Sequence, residues 1–286
     1  VSPLLVLAPL ISFIGILGLV IGSFLNVVAY RVPAGISLLR ESRCPSCDQP
    51  VRWWQNVPVL AWVLLRGRCA SCGSPIPVRY PLVELGTGIA FATVALWWAE
   101  GIGLLGRTPV TPALSGPLAA QLVVLAAYLW FAASGIVLTI IDLDTRRLPH
   151  PITGSAFVAC LALLVAACVL GADWRHLLCA VIGAVALFGF YTMLRLARPD
   201  GMGGGDVRLA GVTGLMLGWM GWPSLAVGAF AAFLLGGIYG MALIAARRAG
   251  RRSAVPFGPW IVAGAWVGVF FGATLGRAYL DLLGFI

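Results

Sequence analysis

A chain of 286 residues could form one or two soluble domains, but a composition 60% apolar and only 10% charged, with a mean hydropathy of +0.99, leaves too little polar surface to cover a soluble globule. Lipid is therefore the solvent for most of it, and because lipid leaves no partner for open backbone groups, helices are the expected element. The net charge of +9 would suggest nucleic acid in a soluble protein; here the basic residues gather at membrane edges, and no nucleic-acid partner is expected.

A spanning helix needs roughly 20 mostly apolar residues, because the hydrocarbon core is about 30 Å thick and each residue rises about 1.5 Å. Eight stretches qualify or come close, at roughly 4–28, 81–99, 119–141, 152–171, 175–196, 206–220, 223–246 and 258–280. The fold class is thus all-α, a polytopic membrane bundle of about eight spans. The first stretch lacks a basic n-region and is too long for a signal-peptide h-region, so it reads as a retained helix.

Residues 31–79 follow as the one sizeable soluble piece. They hold two C-x-x-C knuckles, Cys44-Pro45-Ser46-Cys47 and Cys69-Ala70-Ser71-Cys72, separated by 21 residues. Each knuckle can offer two sulfurs to one side of a tetrahedron, which is the pattern of a four-thiolate zinc site. Two disulfides are the ordinary alternative, disfavoured if the loop lies in a reducing compartment. Four thiolates leave the metal no open position, so its role is structural.

The second span carries Glu84 near one end. The third ends in Ile140-Ile141-Asp142-Leu143-Asp144-Thr145-Arg146-Arg147-Leu148-Pro149, with Asp142 the deeper acid. Cys160, Cys168 and Cys179 lie within apolar spans and read as small hydrophobes. The sixth stretch opens with Gly201-Met202-Gly203-Gly204-Gly205-Asp206 and is short and Gly-rich, so it could be a half-buried or broken helix instead of a full crossing. Glycines at four-residue spacing (Gly18 and Gly22; Gly236 and Gly240; Gly264, Gly268, Gly272 and Gly276) predict helix faces that let another backbone approach.

All nineteen basic residues are Arg. Sixteen fall in loops on one side of the eight-span topology, and only Arg107, Arg175 and Arg277 on the other. The positive-inside rule assigns the Arg-rich side to the cytoplasm. Asp142 and Asp206, 64 positions apart, then share the cytoplasmic membrane edge.

Ionisable groups at or inside a membrane are costly and are functional candidates. Two carboxylates sharing a partly desolvated site cannot both ionise easily, and such a pair supplies a general base for water and a general acid for a peptide carbonyl and amine. Singly, each acid has a plain reading: Asp142 and Asp144 as a helix-ending pair beside Arg146 and Arg147, Asp206 as an acid favoured at a helix N-terminus. Gly203, Gly204 and Gly205 tip the balance, because they permit close approach of an extended substrate strand. A transporter or channel whose interfacial carboxylates couple to protons or cations is the alternative, though its acids would be expected nearer the middle of the spans.

The chain resembles the type IV prepilin peptidases, membrane aspartic proteases of the GxGD type. The resemblance rests on residues 22–33 (Gly22-Ser23-Phe24-Leu25-Asn26 onward), both cysteine knuckles, Tyr80-Pro81-Leu82-Val83-Glu84-Leu85, residues 141–149, residues 201–206 and Pro256-Phe257-Gly258-Pro259. It implies Asp142 and Asp206 as the catalytic pair, with Asp144 as the competing assignment. It divides the chain into a first transmembrane helix (1–30), a cytoplasmic insert with the metal site (31–79) and a protease core (80–286). It further implies a bacterial inner-membrane enzyme that cuts leaders from prepilins or pseudopilins at the cytoplasmic face, and in many members methylates the new N-terminus from S-adenosylmethionine. The insert and Glu84 are where such a second activity would sit. Two positions depart from the family pattern: His150 where an acid is usual, and Arg208 where Lys is usual, so substrate fit at Arg208 could differ.

Overall fold

A computed structural model of the chain describes residues 3–104, 111–198, 202–247 and 256–284. Arg107, Gly201, Arg248, Arg251 and Arg252, used above for topology or motif, lie outside them. Nine α-helices occur among the described residues: α1 (Pro3–Arg31), α2 (Leu60–Leu64), α3 (Arg79–Gly101), α4 (Leu118–Thr145), α5 (His150–Val169), α6 (Trp174–Ala197), α7 (Gly204–Met220), α8 (Trp222–Ala245) and α9 (Gly258–Leu282). Seven of them, all but α2 and α7, are long and apolar enough to cross a membrane.

The chain forms two compact units, residues 1–99 and 100–286. In the first, α1 and α3 meet through small residues. A Cβ on Gly18 would lie 2.9 Å from the Gly88 backbone, and one on Gly22 would lie 2.8 Å from the Glu84 backbone. That close approach ties α3 to α1, and the first unit accordingly runs to residue 99. Between the two helices, residues 31–79 build the insert. Arg31 organises its entry by donating to the carbonyls of Ser37, Leu38, Arg40 and Glu41.

In the second unit α7 is the central helix, packed against α5, α6, α8 and α9. Residues Leu209 to Trp219 are all buried, which explains why its sequence shows no lipid-facing stripe. Its 17 residues span only about 25 Å at 1.5 Å per residue. Its end packs on a short 3-10 turn, Pro112–Leu114: Trp219 Nε1 donates to the Ala113 carbonyl at 3.1 Å. His176 Nδ1 donates to the Trp219 carbonyl at 3.0 Å, so the start of α6 lies at the same end. The short sixth stretch is thus a buried central helix completed by a packed turn.

Glycines set the other contacts of this unit. Gly214 and Gly218 of α7 seat on the backbones of Gly183, Cys179 and Ala180 in α6, a crossing that the four-residue glycine pattern noted above does not include. Gly264, Gly268, Gly272 and Gly276 of α9 face Ala232, Gly228, Ser224 and Pro223 of α8 in turn. Gly236 meets the Phe257 ring, whereas Gly240 has open space around its Cβ position among the described residues. Glycine in a helix ordinarily costs about 1 kcal/mol against alanine. At Gly268 the sign reverses, because a Cβ would come 2.5 Å from the Ser224 carbonyl and 2.8 Å from the Gly228 backbone. Gly268→Ala is expected to destabilise the detergent-solubilised protein by roughly 1–3 kcal/mol, measured by thermal unfolding; a stability gain would mean that α8 and α9 do not pack this closely.

Candidate active site

Asp142 occupies the last turn of α4, and its backbone carbonyl accepts the Arg146 N–H that closes the helix in a left-handed cap. The side chain turns inward and is 4% exposed. Its Oδ2 accepts the backbone N–H of Gly258, the first residue of α9, at 3.0 Å. That donor is one of the N–H groups a helix start leaves unpaired, so the N-terminus of α9 serves as a fixed polar contact for the carboxylate. A Cβ on Gly258 would lie 2.7 Å from the same oxygen. The glycine is therefore required by space, a role the Pro256-Phe257-Gly258-Pro259 run announces only as a helix start.

Asp206 sits in the first turn of α7 and is 9% exposed. Its Oδ2 accepts the Gly203 N–H at 3.0 Å, as an acid at the third helical position does when it caps its own helix. The two acids are brought into one neighbourhood, within electrostatic reach of one another. Leu148 lies beside both, with its side chain in contact distance of the Cβ positions of Gly205 and Gly258. Each carboxylate thus has one backbone donor among the described residues and keeps further acceptor capacity for a reacting group.

The other candidates fall around this pair. Asp144, two residues on from Asp142, is exposed, so the helix separates the two acids by face. Gly205 is spaced by Leu148 and Gly204 by Arg195, and both glycines, with Arg208, line a side cavity next to the pair. His150 is exposed at the start of α5. Tyr191 of α6 was not anticipated from the sequence. Its ring is buried, packs on Phe233 and Phe257 with centroids 5.4 and 6.4 Å away, and stands within electrostatic reach of Asp206.

The first unit holds a second site. Cys44, Cys47, Cys69 and Cys72 present sulfurs that all lie within 4.8 Å of one another. A tetrahedron with Zn–S bonds of about 2.3 Å has edges of about 3.8 Å, and Cys44 and Cys72 are 3.9 Å apart. The two knuckles share one backbone design. Asp48 N–H donates to the Cys44 carbonyl and Gly73 N–H to that of Cys69, with Asp48 at φ 53° and Gly73 at φ 71°. The backbone N–H groups of Ser46 and Cys47 hold the Cys44 thiol down to about 6, and Ser74 lowers Cys72. Cys47 accepts from the Gln49 backbone, yet burial and the neighbouring Cys72 and Cys44 push it up to about 12. A divalent cation would remove this conflict between crowded sulfurs, so the donor set fits a structural metal.

Beside the cluster, the same unit contains a cavity of about 630 Å³ lined by, among others, Asn26, Arg31, Gln55, Trp62, Tyr80 and Glu84. Glu84 is buried, and its Oε2 accepts the Val59 N–H at 2.7 Å. Val59 stands at φ 60°, ψ −50°, a strained setting for a β-branched residue, which the carboxylate holds in place.

These features define a helical membrane protein with two buried carboxylates at one end of its second unit and a thiol cluster in its first. Residues 16–98 match the family model described as the bacterial peptidase A24 N-terminal domain, and residues 114–241 match that of the type IV leader peptidase family. Among curated proteins, the chain is similar to prepilin leader peptidase/N-methyltransferases from Pseudomonas putida (31% identical, covering 96% of this chain and 95% of that protein), Aeromonas hydrophila (32%, covering 94% and 93%) and Neisseria gonorrhoeae (34%, covering 93% and 92%). No solved structure gives a significant match. The chain belongs to the type IV leader peptidase family and is a peptidase. The two family models fall on the two compact units, 1–99 and 100–286.

Proposed function

We propose that this peptidase removes the leader of type IV prepilins or pseudopilins at the cytoplasmic face of a bacterial inner membrane, with Asp142 and Asp206 as the reacting pair. The observation that carries the reading is the burial of two acids, 64 positions apart in sequence, at one end of one bundle, each tied by a helix-end N–H. In the first step one carboxylate takes a proton from water as the water oxygen attacks the scissile carbonyl. The other, protonated, gives its proton to the carbonyl oxygen. Collapse of the tetrahedral adduct returns a proton to the leaving amine and restores a singly protonated pair. The pair acts as a unit, so acid and base are not assigned to particular residues. Gly203, Gly204 and Gly205 leave room for an extended strand at the pair, and Arg208 shapes its flank.

Membrane residence suits such a substrate, whose own apolar segment presents the cut site at the bilayer edge. The test is incubation of the purified protein with a prepilin-like precursor and mass measurement before and after. Loss of the leader is expected, and an uncut precursor would end the reading.

The first unit is proposed to hold S-adenosylmethionine and transfer a methyl group to the new N-terminus. A cavity of 300–1,000 Å³ is typical for a small-molecule site. The lining of aromatic faces with carboxylate, amide and guanidinium groups suits a ligand both charged and aromatic. The cofactor, when bound, supplies the methyl group. Glu84 is placed to receive the proton that an N-terminal ammonium must lose before it can be methylated. Cys44 and Cys69 help form the cavity wall, so loading zinc on the cluster would support it. Zinc removal with a chelator is expected to lower labelled methyl transfer at least tenfold while leader cleavage persists, with metal content measured in parallel. Equal methyl transfer by the metal-free protein would separate the cluster from the cavity.

A further inference from the structure

Next to the carboxylate pair, on the side where α6 ends and α7 begins, lies a cavity of about 570 Å³ that shares Gly204, Gly205 and Arg208 with the proposed strand site and whose Arg195 side the peptidase reading does not use. Phe188, Thr192 and Arg195 of α6 and Gly204, Gly205 and Arg208 of α7 form its wall, and among the described residues no acidic side chain lines it. Arg195 and Arg208 have no ion pair or hydrogen bond among the described residues. The Arg208 Nε is buried from solvent and has no hydrogen-bond partner among the described residues. The Arg195 guanidinium lies directly over Gly204, where a Cβ would come 2.5 Å from its Nη1. It therefore sits on the first residue of α7, the end of the helix that already carries partial positive charge.

Arg195, itself exposed, and Arg208 line one cavity at a helix start, so like charge is gathered there, and a buried guanidinium N–H without an acceptor costs free energy. An anion removes both penalties at once. Asp206 does not do so, because its carboxylate is tied to the Gly203 N–H and does not line this cavity. We infer that this cavity binds a phosphate group, gripped by Arg195 and Arg208. Guanidinium matches tetrahedral oxyanions through paired N–H donors. The flank of α6 at this level is apolar and exposed, through Phe188, Met193 and Leu196, so acyl chains could lie along it. Basic pockets at helix ends hold lipid headgroups in this way. A phospholipid headgroup and free inorganic phosphate share the chemistry, and the experiment tells them apart.

The full chain, purified in detergent with its lipid removed, is titrated with short-chain phosphatidylglycerol, with inorganic phosphate and with diacylglycerol of the same chain length, and binding is read by native mass spectrometry and by the thermal unfolding midpoint. Phosphatidylglycerol is expected to bind and raise the midpoint, and diacylglycerol to do neither. Arg195→Gln and Arg208→Gln are each expected to weaken phosphatidylglycerol binding at least tenfold. Arg195→Lys and Arg208→Lys, which keep the charge, should recover part of it, which separates lost recognition from a damaged fold. Binding of inorganic phosphate with equal affinity would identify the free ion as the ligand; much weaker binding would identify the lipid. The inference is overturned if diacylglycerol binds as well as phosphatidylglycerol, if neither phosphate compound binds, or if the Gln variants bind like the parent chain.

Discussion

Asp142→Asn and Asp206→Asn are each expected to lower leader cleavage by at least ~10³-fold, since general acid and base assistance contribute about 10²–10⁴ each and neither amide can exchange a proton in the needed range. The double variant should be no slower than either single one, because members of a catalytic unit are strongly non-additive. Folding should survive. An amide oxygen at position 142 can still accept the Gly258 N–H, and one at position 206 the Gly203 N–H. Cleavage is measured on a prepilin-like precursor under single-turnover conditions, beside a thermal unfolding curve. Asp144→Asn is the control: its side chain is exposed on another face of α4, and less than a tenfold loss is expected. Full activity in either of the buried-acid variants would remove that residue from the mechanism.

Gly258→Ala tests how Asp142 is held. The added methyl would meet Oδ2 at 2.7 Å and Cγ at 3.3 Å, and the Leu148 side chain at 3.5 Å closes the other direction. Asp142 is buried and cannot swing away without giving up the Gly258 N–H that it accepts. Either the carboxylate or the start of α9 must shift by a substantial fraction of an ångström. A misplacement of about 1 Å in a reacting group can cost 10²-fold in rate, so a loss on that order in the rate of cleavage is expected. Overpacking itself should cost only about 1–3 kcal/mol of stability. The signature is thus a large kinetic loss in a protein that remains folded and inserted. Cleavage at the parent rate would show that α9 does not fix the carboxylate.

Much of this architecture was legible in the chain itself. Lipid forces every spanning segment to satisfy its own backbone, so length and hydropathy alone located the helices, including the doubt over the short sixth stretch. Cysteine spacing located the thiol cluster, since two x-x turns can each direct a pair of sulfurs to one point. Scarcity marked Asp142 and Asp206, because only ten acids occur in the whole chain. The glycine repeat of α9 announced a close helix contact, and the structure supplies its partner in α8.

Other features depend on which helix meets which, and no local pattern records that. The sequence could not say that α7 would be the buried centre of its unit, capped at one end by residues 112–114. Nor could it say that Gly258, 116 positions from Asp142, would furnish that carboxylate's donor. Asp142 and Asp144 are near neighbours in the chain, and only the turn of the helix buries one and exposes the other. Arg195 and Arg208 lie on separate helices, so their convergence on one cavity is a product of packing. Composition and spacing determined that this is a membrane helical protein and where its thiol cluster lies, and they singled out Asp142 and Asp206 as candidates. Tertiary packing decided their company, because the donors, the walls and the unpaired charges come from residues distant in the chain.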